Sequence, residues 1–118
     1  MSSNIILEKS FAFALRIVKL YQYLCDEKHE FVLSKQLLTA GTDIGKHVKE
    51  ATAAESKTVF TQEMSVALRK ASETEYWLEL LHKAGFLNDK QFESMNHDRE
   101  EIFGMLTKIV KTSKLPTE

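Results

Sequence analysis

Apolar residues recur along the chain three and four positions apart, the period of a helix that covers one face. Four segments carry this spacing, and only short polar breaks separate them. The first runs over about residues 5–28 and holds two stripes. Leu7, Phe11, Ala14, Val18, Tyr21 and Cys25 lie on one side, and Phe13, Ile17, Leu20 and Leu24 on another. That leaves a narrow polar strip of Lys9, Arg16, Lys19, Gln22 and Asp26. A helix apolar over most of its girth needs more than one neighbouring surface, so it is either the central helix of a bundle or part of a subunit interface. Phe13, Ile17, Leu20 and Leu24 are the stripe expected at such an interface.

The second segment, about 30–54, presents Leu37, Gly41, Ile44, Val48 and Ala51 on one face with Gly45 beside it. Each glycine inside a helix sacrifices up to about 1 kcal/mol of propensity relative to alanine, so close packing or a contact is expected there. The third, about 56–85, opens on Ser56 as an N-cap, turns Phe60, Met64, Ala67, Ala71, Leu78 and Leu81 inward and closes on Gly85. Asn88-Asp-Lys-Gln91 has capping-box spacing for the fourth, about 89–113, with Phe92, Met95, Ile102, Leu106 and Ile109 inward. Connections this short make successive helices antiparallel neighbours. The pattern predicts an all-α, up-down-up-down antiparallel four-helix bundle in a single domain over residues 1–118.

Composition supports long helices, with only 4 Gly and 1 Pro, the proline at 116. A chain of 118 residues removes roughly two-thirds of its unfolded surface from water on folding, so a core without covalent staples is feasible. The lone Cys25 has no internal partner and reads as a small apolar residue of a reducing compartment. Met1-Ser-Ser-Asn lacks the basic start of a secretory signal, and no apolar run approaches the ~20 residues of a membrane span. A cytoplasmic location without membrane contact is expected. With 16 Lys+Arg against 17 Asp+Glu the net charge is −1, so a polyanionic partner would have to be attracted by a local patch.

Two stretches then become informative together: Asp43-Ile-Gly-Lys-His-Val-Lys-Glu-Ala51, and Lys70-Ala-Ser-Glu-Thr-Glu-Tyr-Trp-Leu-Glu-Leu-Leu81, with Ala54-Glu-Ser56 between them. They resemble the four-helix-bundle family encoded by intervening sequences within bacterial 23S rRNA genes. The likeness extends from Lys9-Ser-Phe11 to Gly85-Phe-Leu87, and its most specific part is Glu-Thr-Glu-Tyr-Trp-Leu. Family members carry Ser-Ile-Gly-x-Asn-Val-x-Glu-Ala on the second helix, where Asp43 and His47 here replace the serine and the asparagine. The resemblance implies a homopentameric ring with no catalytic activity. Similar accessory proteins of diversity-generating retroelements assemble in this way and engage a reverse transcriptase and nucleic acid. A reverse transcriptase or a ribosome-related partner is therefore implied alongside RNA or DNA.

Candidate chemistry is sparse. Glu79-Leu-Leu-His82 has the Glu-x-x-His spacing of dinuclear metal sites in bundles, which makes a metal-dependent enzyme using Glu79 and His82 the rival reading. Such a centre needs a second Glu-x-x-His and a Glu from each remaining helix. Here Asp26-Glu-Lys-His29 sits at a helix end and His47-Val-Lys-Glu50 runs in reverse order. No cysteine pair completes a zinc cage, no glycine-rich phosphate loop occurs, and Ser72 beside Glu73 is no triad. No cofactor is expected. Arg16, Lys46, His47, Lys49 and Lys57 form the candidate nucleic-acid surface, which assembly into a ring would multiply. Interspersed lysines and glutamates also simply solvate outer faces. Finally, Arg99 interrupts the inward stripe of the fourth helix and cannot be buried alone without a large desolvation cost. Counting outward from Leu87, Glu75 lies twelve positions before and Arg99 twelve after, so Glu75 is the expected partner, with Glu79 or Glu73 as alternates.

Overall fold

A computed structural model of the chain describes residues 2–116, with side chains from Asn4 onward. It contains four helices: α1 (Ser2–Asp26), α2 (Leu33–Thr52), α3 (Lys57–Lys83) and α4 (Asp89–Ser113). Each packs on two others, α1 on α2 and α4, and α3 on α2 and α4, giving an all-α four-helix bundle of 53 × 21 × 20 Å. The helix ends follow the expected local chemistry. Ser56 accepts from the Val59 N–H at the start of α3. Asn88 and Gln91 exchange side-chain and backbone bonds of 2.8 and 2.9 Å as a capping box. Gly85 follows α3 with φ of +92°, a left-handed conformation that glycine adopts without a steric penalty.

The start of α2 is built differently, from a carboxylate two residues before the helix cap at Val32. Glu30 is buried, and its side chain accepts from the N–H groups of Val32, Leu33 and Ser34 at 3.1, 2.8 and 2.6 Å. The Ser34 hydroxyl in turn donates to the Glu30 carbonyl at 2.7 Å. Burial opposes ionisation of Glu30, but the backbone N–H donors and Ser34 outweigh it and hold the carboxyl below its usual range. His29, just before it, takes a positive φ of 53° to turn the chain.

The two stripes of α1 are sorted in the opposite sense to the sequence expectation. Phe13, Ile17 and Leu24 are 2% exposed or less and Leu20 is also buried, so this stripe is core within one protomer and is unavailable to a neighbour. The reason is the glycine face of α2. A Cβ on Gly41 would stand 2.7 Å from Ile17 Cγ1, so the absent side chain is the space that Ile17 fills. Gly45 likewise lets α2 approach the backbone of Ser10, whose carbonyl oxygen would lie 3.2 Å from an added Cβ. Around this contact lie Leu37, Ile44, Val48, Met64, Ala67, Ala71, Leu78, Leu81, Met95, Ile102 and Leu106, all buried. Thr74 also reaches the core, its hydroxyl satisfied by the Lys70 carbonyl at 2.7 Å.

Candidate functional site

With Phe13 and Ile17 turned inward, the second stripe of α1 is left at the surface beside α2. Phe11 is 64% exposed and Leu15 52%, with Val18 exposed on the same face. They border a groove of about 700 Å³ whose walls are Leu7, Glu8, Phe11, Ala12, Ala14 and Leu15 from α1 and Thr42, Gly45, Lys46 and Lys49 from α2. The groove is largely apolar and carries two lysines on its edge. Lys46 and Lys49 are exposed, and neither forms an ion pair among the described residues.

The remaining members of the expected basic surface do not gather there. Arg16 faces α4, where it is paired with Asp98 and donates to the Ser94 hydroxyl at 2.9 Å. Lys57 lies at the end of the bundle and donates to the Leu115 carbonyl at 2.7 Å. His47 turns toward α3, with Nδ1 2.8 Å from Glu63 Oε1. Lys9 is also neutralised, by Glu101 at 3.2 Å. One contiguous patch of Arg16, Lys46, His47, Lys49 and Lys57 is therefore not what the fold builds. Consecutive residues of a helix point 100° apart, and three of these cations meet different neighbours.

The acidic run of α3 is accounted for mostly by structure. Arg99 is buried with its side chain 4% exposed, and Glu75 Oε2 lies 3.4 Å from its Nη2. Arg99 Nε donates to Asn96 Oδ1 at 2.7 Å, and its guanidinium lies 5.8 Å from the centre of the Phe103 ring. Glu73 pairs instead with Lys70, and Glu79 is exposed. His82 does not join Glu79: its ring stacks on Phe92 with centroids 4.5 Å apart, and its Nε2 lies 2.7 Å from Asp89 Oδ1. Trp77 packs against the core with the Tyr76 ring edge-on at 4.9 Å. The Glu-x-x-His spacing thus places its two residues in separate environments rather than on one ion.

The exposed face of α1 is the feature that sequence reading assigned to the wrong stripe, because periodicity gives two faces and does not say which one meets Gly41. Among the described residues, no helix is long and apolar enough to cross a membrane. No curated protein matches the chain. The crystal structure of a protein of unknown function from the S23 ribosomal protein family of Bacteroides thetaiotaomicron VPI-5482 is similar to it, with 46% identity and a TM-score of 0.92 over 94% of this chain and 99% of that one. Residues 2–108 match the 23S rRNA-intervening sequence protein family, and the chain belongs to that family.

Proposed function

We propose that the protein acts by association rather than by catalysis, as a homo-oligomeric accessory or scaffold protein that uses the outer face of α1 and the groove beside it as its contact surface. The observation that carries this reading is the exposure of Phe11, Leu15 and Val18 on one face of α1, beside a groove whose walls are largely apolar. Apolar surface concentrated in this way on a small domain is worth more covered than wet. A closed ring, with five copies the expected number from the family resemblance, covers it on every protomer. Sedimentation at micromolar concentration tests the idea. A multimer that Phe11→Asp reduces to monomers supports it, and a wild-type protein that sediments as a monomer overturns it.

RNA or DNA is the partner favoured by Lys46 and Lys49, the two exposed cations on the groove rim without carboxylate partners among the described residues. Two lysines make a weak field on one protomer, and a ring repeats them. Binding carried by phosphate contacts weakens steeply with salt, because those contacts release counterions. Lys46→Glu with Lys49→Glu should abolish retention of single-stranded or structured nucleic acid at low salt, and because both lysines also line the groove, sedimentation of the same variant separates lost binding from lost assembly. Retention unchanged by that double substitution would move the surface elsewhere. A reverse transcriptase or a ribosome-related complex is the class of larger assembly that such an accessory protein would join in the cytoplasm.

A further inference from the structure

His47 and Glu50 stand one helical turn apart on the part of α2 that meets α3, and Glu63 reaches across from the second turn of α3. One ligand atom from each of the three lies within 4.8 Å of the other two. His47 Nδ1 is 2.8 Å from Glu63 Oε1 and 3.7 Å from Glu50 Oε1. Two donors bound to one tetrahedral ion at about 2.1 Å stand about 3.4 Å apart, a value these two distances bracket. The side chains of His47 and Glu63 are 19% and 28% exposed, and that of Glu50 is 48% exposed. The group is therefore partly shielded, with Glu50 as its most exposed member.

Charge makes the arrangement more than a chance neighbourhood. A single ring N–H can serve one carboxylate well, and here two converge on the same nitrogen. Neither Glu50 nor Glu63 pairs with a lysine or arginine among the described residues, whereas Asp43, one turn earlier on α2, has Lys70 at 4.0 Å and Asp98 has Arg16. We propose that His47, Glu50 and Glu63 bind one first-row divalent transition-metal ion per protomer, clamping the end of α2 to the start of α3. One imidazole and two carboxylates suit zinc, cobalt, manganese or iron(II) and leave at least one position for water. Magnesium, which demands near-ideal octahedral oxygen geometry and dehydrates reluctantly, is a poor fit. Glu50 neighbours the rim lysines Lys46 and Lys49 on α2, so occupancy is read by metal titration and self-association by sedimentation, each on its own.

The test is calorimetric titration of the metal-stripped full-length chain with zinc and, separately, with magnesium, alongside the visible absorption of the cobalt(II) form. The expected result is one zinc per protomer, no saturable magnesium binding, and a cobalt spectrum showing nitrogen and oxygen donors. His47→Asn and Glu63→Gln should each weaken zinc at least about ten-fold, because each removes a direct ligand, and His97→Asn at an exposed histidine should change nothing. Circular dichroism of each variant confirms that the bundle remains, and Glu50→Gln, on the most exposed arm, serves if either of the others unfolds. Absence of stoichiometric zinc binding, or binding that survives these substitutions, would overturn the proposal and leave the group as a histidine–carboxylate hydrogen bond.

Discussion

Between α1 and α2 the helices close on missing side chains: Ile17 occupies the space beside Gly41, and the backbone of Ser10 faces Gly45. Between α3 and α4 the gap is filled instead by a guanidinium, with Glu75, Asn96 and the ring of Phe103 around it. The apolar seam draws two backbones close and leaves the flank of α1 bare, with Phe11 and Leu15 in solvent. The polar seam keeps its charge inside, and the groove along α3 and α4, lined by Phe60, Met105, Lys108 and Ile109, is smaller, about 380 Å³. Close packing and ion pairing thus leave the two sides of one small bundle with apolar surface of different extent. Buried polar contacts contribute little net stability compared with apolar ones of equal volume, so the two seams should respond differently to substitution.

The largest expected effect separates the two stripes of α1. Phe13→Ala should cost about 3–5 kcal/mol in denaturant unfolding, the range for emptying a buried aromatic position. Phe11→Ala, measured in dilute protein so that association does not contribute, should stay within about 0.5 kcal/mol. Reversed magnitudes would mean that Phe11 is the core residue. Next come two glycines expected to change stability in opposite directions. Gly41→Ala forces a methyl against the buried Ile17 side chain and should destabilise by about 1–3 kcal/mol. Gly104→Ala on α4 meets nothing within 4 Å and should stabilise by up to about 1 kcal/mol through helix propensity. If both substitutions stabilise, the α1–α2 seam is looser than its geometry implies.

The polar seam is probed by Glu75→Gln, Arg99→Met and the double variant. Glu75 is 42% exposed on its side chain, so water softens the loss, and Glu75→Gln should cost about 1–2 kcal/mol rather than the full penalty of an orphaned buried charge. Thermal melts of the cycle should be non-additive, and additivity would show that the two residues act independently. The smallest effect concerns the turn into α2. The Glu30 carboxyl titrates below its unfolded value, near 4.5, so its stabilising contribution is complete above that value and declines as the pH falls through the lower folded value. Glu30→Gln should cost about 1 kcal/mol at neutral pH and flatten the loss of stability on the acid side. Asn88 and Gln91, which cap the turn into α4, carry no titratable group of their own.

Much of this frame was legible in the residues alone. The four helices, the caps at Ser56 and Asn88 and the glycine after α3 follow from spacing and local hydrogen-bonding chemistry, which act within a few residues of chain. The placement of Glu75 level with Arg99 also followed, because antiparallel helices joined by a short turn keep residues equidistant from that turn side by side. Glu30 escaped notice, since a carboxylate two positions before the cap matches no standard capping spacing. The His47, Glu50 and Glu63 group was half visible as His47-Val-Lys-Glu50, but its third member comes from another helix and only packing brings it in.

The amino-acid sequence by itself determined how many helices form, where they begin and end, and which positions on α2, α3 and α4 are apolar enough to be core. Those properties depend on local propensity and on period, and every neighbour they need is within a few residues. Tertiary structure decided which of two apolar faces of α1 turns inward, which cations are neutralised across a seam and which remain free, and which carboxylates converge on one imidazole. Each of those outcomes depends on the rotation of one helix against another, set here by the close approach that Gly41 and Gly45 permit. No single helix carries that rotation in its own sequence.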